Sequence, residues 1–248
     1  MSAAWNFSKQ AMIRFDHVTK QYPGHVHALS DITVEIADAE FVFLIGPSGA
    51  GKTTMLRLLI RDLVPSTGTI HIDTWKLGAF PVQNIHLLRR KVGTVFQDFK
   101  LLNDRTVFEN VALGLEILGK KDTEITTRVS DVLELVGLGG KKNSFPLQLS
   151  AGEMQRTGIA RAIVGGPSIL LADEPTGNLD PETSWEILDI LNEINKIGTT
   201  IIMATHNANI VNDLKKRTIT LEAGKIVTDE ARGRYTMKHK KEKHETHA

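Results

Sequence analysis

The feature that most narrows the fold is a five-residue apolar run, Phe41-Val42-Phe43-Leu44-Ile45, that passes directly into Gly46-Pro47-Ser48-Gly49-Ala50-Gly51-Lys52-Thr53. A strand this uniformly apolar has to be covered on both faces, as in a parallel sheet flanked by helices. Beyond the glycine loop, Met55-Leu56-Arg57-Leu58-Leu59-Ile60 reads as a helix. The loop fits G-x4-G-K-[ST] in the strand-to-helix position that the motif requires. Its glycines let the backbone N–H groups curl around a triphosphate, and the helix adds the positive end of its dipole. On this reading Lys52 reaches the β- and γ-phosphates and the Thr53 hydroxyl ligates Mg²⁺, with Thr54 beside it in the cradle.

A second half-site follows. Ile169-Leu170-Leu171-Ala172 is another strand-length apolar run, and it ends in Asp173-Glu174, the Walker B pattern. Asp173, at the strand's C-terminal end, is placed to hold the Mg²⁺ shell. Glu174 points elsewhere and can polarise the attacking water. Two acids opening a loop are common in isolation; about 120 residues after a phosphate loop they complete a nucleotide site.

Three zones divide the chain. Between residues 12 and 96, Ile13, Phe15 and Val18, then Ile32, Val34 and Ile36, have strand-like spacing. Between 97 and 165 strand signals thin out, and Val107 to Leu118 and Ile125 to Val136 carry apolar residues at helical spacing. Gly137 to Lys142 punctuates this zone as a loop. From 166 to 233 the α/β character returns. Trp185, Leu188, Leu191 and Ile194 are expected on one helix face, Thr200 to Ala204 as a strand, and Thr218 to Val227 as a hairpin around Ala223-Gly224. The expected organisation is one domain over 12–233, with 12–96 and 166–233 forming the core and a β subdomain, and 97–165 a helical subdomain. Residues 1–11 read as an N-terminal extension without the basic and apolar segments of a secretory leader. Residues 234–248, rich in Lys and His, read as a polar, disordered tail.

Bulk properties exclude several classes. The 248 residues carry 30 basic and 29 acidic side chains, net +1, which is no footprint for wholesale nucleic-acid binding. There are no cysteines, hence no disulfide and no thiolate metal site. No apolar run reaches the roughly 18 residues of a membrane span, so membrane contact is expected only through a partner.

The phosphate loop alone does not separate kinases, GTPases, helicases and transporters. Leu149-Ser150-Ala151-Gly152-Glu153, followed by Met154-Gln155-Arg156, does. It resembles the LSGGQ signature of ATP-binding cassette proteins. A serine and small residues opening a helix make a second anion-binding end, which makes sense if it serves the nucleotide of another subunit. The resemblance runs from about residue 12 to 227. It implies an α/β P-loop NTPase fold of cassette type, with a mixed sheet core, an antiparallel β subdomain and a helical signature subdomain. It also implies an ATPase that takes ATP and Mg²⁺ and works as a head-to-tail homodimer. By the same resemblance Gln97 looks like the glutamine that senses Mg²⁺ and water, and Asp180 in Asn178-Leu179-Asp180 like the loop bridging the two sites. His206 looks like the switch histidine on the γ-phosphate, and Tyr22 like the aromatic platform under adenine. The resemblance likewise implies that Ser150, Ala151, Gly152 and Glu153 contact the nucleotide of the other copy. One departure is plain: the first signature glycine is Ala151.

Within that family, Arg89-Arg90-Lys91-Val92-Gly93, Asp104-Arg105-Thr106-Val107 and Asp180-Pro181-Glu182-Thr183-Ser184-Trp185 resemble its bacterial cell-division branch. That implies an integral membrane partner, a place on the cytoplasmic face of the cell membrane, and control of cell-wall hydrolases. Residues 98–110 are the expected docking segment for the partner. The run from Asp173 to Asp180 is shared with exporter ATPases, so a lipoprotein or macrolide exporter subunit stays open, as does a nucleotide-gated scaffold with negligible turnover.

Overall fold

The computed structural model describes residues 11–24 and 26–233. The polar tail and residues 1–10 of the extension lie outside the described residues. The chain runs β1 (Ala11–Tyr22), β2 (Val26–Ala37), β3 (Phe41–Ile45), α1 (Lys52–Leu59), β4 (Thr67–Ile72), β5 (Trp75–Lys76), α2 (Ile85–Lys91), β6 (Val92–Val95). It continues α3 (Val107–Ile117), α4 (Asp122–Leu135), α5 (Ala151–Ile163), β7 (Ile169–Asp173), α6 (Pro181–Lys196), β8 (Thr200–Ala204), α7 (Ala208–Leu214), β9 (Arg217–Glu222), β10 (Lys225–Glu230).

Two sheets form. The larger has the order β10-β9-β3-β8-β7-β6, parallel throughout except for the antiparallel edge pair β9–β10. The smaller is antiparallel, β2-β1-β4-β5. Alternation along the central strands explains their unbroken apolarity. Phe41, Phe43 and Ile45, with Leu170, Ala172, Ile201 and Met203, face a core shared with α3 to α7. Val42 and Leu44, with Ile169, Leu171, Ile202 and Ala204, face the opposite core, shared with α1 and the small sheet. A sheet buried on both sides has no polar face to show.

Some elements depart from expectation. On α6 the buried stripe is Ser184, Ile187, Leu188, Leu191 and Ile194. Trp185 is not part of it: at 37% exposed it lies at the shoulder of the stripe. The first helix opens at Lys52, inside the phosphate loop, and the 137–142 loop contains one 3₁₀ turn at Gly139–Lys141. Residues 98–106 are irregular but pinned. The fully buried Asn110 donates to the carbonyls of Leu102, Arg105 and Thr106 and accepts from the Leu102 N–H. Arg161, near the end of α5, donates to the carbonyls of Lys100 (2.6 Å) and Phe99 (3.0 Å).

Candidate active site

The order β3-β8-β7-β6 sets four loops side by side at the carboxyl edge of the large sheet, where open α/β sheets bind ligands. β3 feeds the phosphate loop, β8 leads to His206, β7 ends at Asp173, and β6 precedes Gln97.

Gly46, Gly49 and Gly51 all take positive φ. At Gly51 the reason is also steric: a Cβ there would stand 2.5 Å from the Ala28 carbonyl and 2.7 Å from Leu29 Cδ2 of β2. Pro47 and Ser48 are exposed along the loop and Ala50 is buried beneath it. Lys52 is only 8% exposed and curls back over the loop, its Nζ donating to the carbonyls of Gly46 (2.7 Å) and Pro47 (3.2 Å). α1 has no side-chain cap and no acid in its first turn, so its leading N–H groups stay available to an anion. Thr53 is exposed and Thr54 half-buried just behind it.

The two acids of β7 diverge. Burial pushes the Asp173 carboxyl above the ordinary aspartate range; the hydrogen bond from the Thr53 hydroxyl and the Lys52 charge pull it back, while the Glu174 charge adds to the rise. Thr53 and Asp173 thus present a hydroxyl and a carboxylate together, hard oxygen donors of the kind that suit Mg²⁺. Among the described residues no three His, Cys, Asp or Glu converge as a metal cage. Glu174 sits in the left-handed region, φ 49°, with its N–H on the Ala204 carbonyl at 3.0 Å. That turn sends its side chain towards β8, where Oε2 is 2.9 Å from His206 Nδ1 and accepts the His206 backbone N–H at 3.3 Å.

Gln97 is exposed after β6, and Asn178 donates to its carbonyl at 3.4 Å. Asp180 is the N-cap of α6: its carboxylate accepts the Thr183 N–H at 2.9 Å and the Thr183 hydroxyl at 2.6 Å. Those bonds, the hydroxyl first, hold its carboxyl below the usual range. A cavity of about 210 Å³ opens among Glu174, His206, Leu179, Asn207, Asn209 and Trp185. The Glu174–His206 pairing is not legible from local sequence, since it depends on the adjacency of β7 and β8.

The signature segment stands elsewhere. Ser150 caps α5, accepting the Glu153 N–H at 3.2 Å, while the Glu153 carboxylate accepts the Ser150 N–H at 2.9 Å. That second bond lowers the Glu153 carboxyl from its ordinary value, against a smaller opposing effect of burial, and the ion pair with Lys141 at 3.1 Å lowers it further. The departure at position 151 has a geometric basis: Ala151 is exposed, whereas Gly152 is buried and a Cβ there would overlap Thr183 Cγ2 of α6. α5 packs on α3, α4, α6 and β6, and α1 packs on β2 and β7. Tyr22, half-buried at the end of β1, pairs with Val26 of β2 and has the Lys20 ammonium 5.5 Å from its ring centroid.

The glycine-loop lysine, the divergent acid pair and the facing histidine thus share one edge of the large sheet, and the serine-capped helix stands apart from them. A family model for ABC transporters matches residues 29–177. The chain is 53% identical over 224 residues to the cell division ATP-binding protein FtsE of Bacillus subtilis, covering 90% of this chain and 98% of that protein. It is 51% identical over 227 residues to FtsE of Mycobacterium tuberculosis, covering 91% and 99%. Among solved structures, the dimeric post-hydrolysis state of the ATP-binding cassette MJ0796, bound to ADP and Pi, is similar with a TM-score of 0.82. It is 33% identical, over 90% of this chain and all of that one. The chain belongs to the ABC transporter family and, within it, to the FtsE cell-division ATP-binding proteins. It is an ATPase subunit. No described helix is long and apolar enough to cross a membrane.

Proposed function

We propose that this chain hydrolyses ATP at the interface of two copies closed head to tail, and that closure acts on an FtsX-like integral membrane protein to control cell-wall hydrolases. The observation that carries the reading is the separation of two anion-binding helix ends on different elements of one protomer. The α1 end, with Lys52, grips the triphosphate; the α5 end, with Ser150, is left for the nucleotide of the other copy. Ser150 spends a lone pair on Glu153 and keeps its O–H to donate to a γ-phosphate. The MJ0796 cassette, solved as a dimer with ADP and Pi, supports the pairing.

Thr53 and Asp173, together with Gln97, are the residues that would hold Mg²⁺, which would supply neutralising charge on the phosphates. Glu174 takes the role of base, orienting the attacking water and receiving its proton. His206 turns from Glu174 to the γ-phosphate when nucleotide arrives, and Tyr22 stacks on the adenine. Asp180, through its cap on α6, holds the loop that bridges the two sites. Residues 12–233 form one ATPase domain, of which 97–165 is the helical part.

The partner docks along residues 98–110. Next to this segment lies a groove of about 480 Å³ lined by Ile117, Leu118 and Val164 with Arg89, Arg90 and Arg161. An apolar floor with a basic rim suits an amphipathic helix of a membrane partner, which supports a peripheral position on the cytoplasmic face of the membrane. The test is affinity purification from solubilised membranes. A four-span membrane protein should come down with the wild type and be lost when Ile117 and Leu118 are both changed to Asp. Recovery of a long exporter permease instead would reject the division assignment.

A further inference from the structure

We infer that Thr205 and Asn207 are positioning residues that set where His206 stands, an inference that rests on the assignment of His206 to the γ-phosphate. β8 ends at Ala204 and α7 begins at Ala208, so three residues make the whole connection. Both neighbours of the histidine are tied to the scaffold. Thr205 is 1% exposed, and its N–H donates to the Leu44 carbonyl at 3.1 Å, against the strand that feeds the phosphate loop. Its hydroxyl oxygen accepts the Asn207 N–H at 3.1 Å. The Asn207 side-chain oxygen accepts the N–H groups of Asn209 (3.1 Å) and Ile210 (3.4 Å), capping α7. Ile210 is buried, so α7 is itself anchored in the core.

Between these two clamps His206 is exposed, and its partner is Glu174. The backbone course through residue 206 is therefore fixed from β8 on one side and from the α7 cap on the other. Without the Asn207 oxygen, the first N–H groups of α7 turn to water and the turn frays. The His206 N–H that meets Glu174 then moves as well, because it belongs to the same three-residue span. Catalytic groups displaced by about 1 Å lose on the order of 10²-fold in rate. Triphosphate affinity lies with Lys52 and the glycine loop, on other elements, so the effect falls on turnover.

The experiment uses the full chain and steady-state ATPase assays over a range of ATP concentrations. The variants are Asn207→Ala, Asn207→Asp, Thr205→Val, Thr205→Ser, His206→Ala and the double variant His206→Ala/Asn207→Ala. Asn207→Ala and the isosteric Thr205→Val should each lower kcat about 10-fold or more with KM within about 2-fold. Asp caps as well as Asn, so Asn207→Asp should recover most of the turnover, as should Thr205→Ser. The double variant should be no slower than His206→Ala alone, since both changes act on one group. Wild-type turnover in Asn207→Ala and Thr205→Val beside an inactive His206→Ala would overturn the positioning role and leave the histidine assignment standing. Turnover as low in Asn207→Asp as in Asn207→Ala would overturn it too, by showing that the amide itself is used. Wild-type turnover in His206→Ala would instead remove the assignment on which the inference rests. Thr205→Val keeps shape and burial, and it decides the matter if Asn207→Ala fails to fold.

Discussion

The Glu174 carboxylate meets His206 twice, 2.9 Å from the ring Nδ1 and 3.3 Å from the backbone N–H. In this arrangement the proposed base and the proposed γ-phosphate histidine are occupied with each other. Glu174→Gln keeps a side chain of the same shape and loses the ability to take a proton. Turnover should fall about 10²–10⁴-fold while ATP still binds, so an ATP-bound dimer accumulates in size-exclusion chromatography. Wild-type turnover would remove Glu174 from the role of base.

Lys52 is buried against the carbonyls of its own loop, and in the proposed function its charge meets the triphosphate. Hydrogen bonds to charged groups are worth about 1.5–3 kcal/mol. Lys52→Ala should weaken ATP binding by about 10- to 10²-fold in titration calorimetry, with little change in the melting of the free protein. Undiminished affinity would count against the phosphate-loop assignment.

Gly152 and Ala151 should answer substitution in opposite ways. Gly152→Ala forces a methyl against Thr183 Cγ2, an overpacking that costs about 1–3 kcal/mol. Ala151→Gly, at an exposed position, should leave both melting and turnover close to wild type. Thr183→Ser deletes the offending methyl and keeps the hydroxyl that Asp180 accepts. The pair Gly152→Ala/Thr183→Ser should therefore melt higher than Gly152→Ala alone; additive losses would refute this account of the signature.

For Asp173 the sign of the pH effect is fixed by burial. Its folded value lies above the unfolded one, so the associated stability is present below the unfolded pKa and lost as pH rises through the folded value. At neutral pH the free protein carries a half-buried carboxylate at a cost. Asp173→Asn, which still accepts from Thr53, should raise the melting temperature of the free protein by about 2–4 °C for each kcal/mol relieved. The same variant should lose the stabilisation that wild type gains from Mg-ATP. Scanning fluorimetry with and without Mg-ATP, at pH 5 and 7.5, reads both. A lower melting temperature for the free variant would contradict the cost assigned to burial.

The central strands and the phosphate loop were legible because their pattern is local: five apolar residues, then glycines at fixed offsets, then Lys52. β4 was not, since in Thr-Gly-Thr-Ile-His-Ile only Ile70 and Ile72 turn inward and the alternation is too short to stand out. α2 is hidden for a similar reason, with Leu88 its one buried side chain. Trp185 reads as core from the sequence because one apolar residue near the start of a helix does not fix which way the buried stripe turns, and the structure leaves it 37% exposed. The pairing of Glu174 with His206 spans two strands, and no spacing within either motif announces it. The motif residues themselves carry their chemistry in their order, which is why the candidate site was readable when its internal contacts were not.

Arg161 holds residues 99 and 100 at one extremity of α5, and Ser150 stands at the other. Thirteen helical residues make a strut about 20 Å long. A push on the segment that Arg161 grips is therefore delivered, with little slack, to the serine at the far tip. Whatever leans on one face of this subunit can aim a hydroxyl on another.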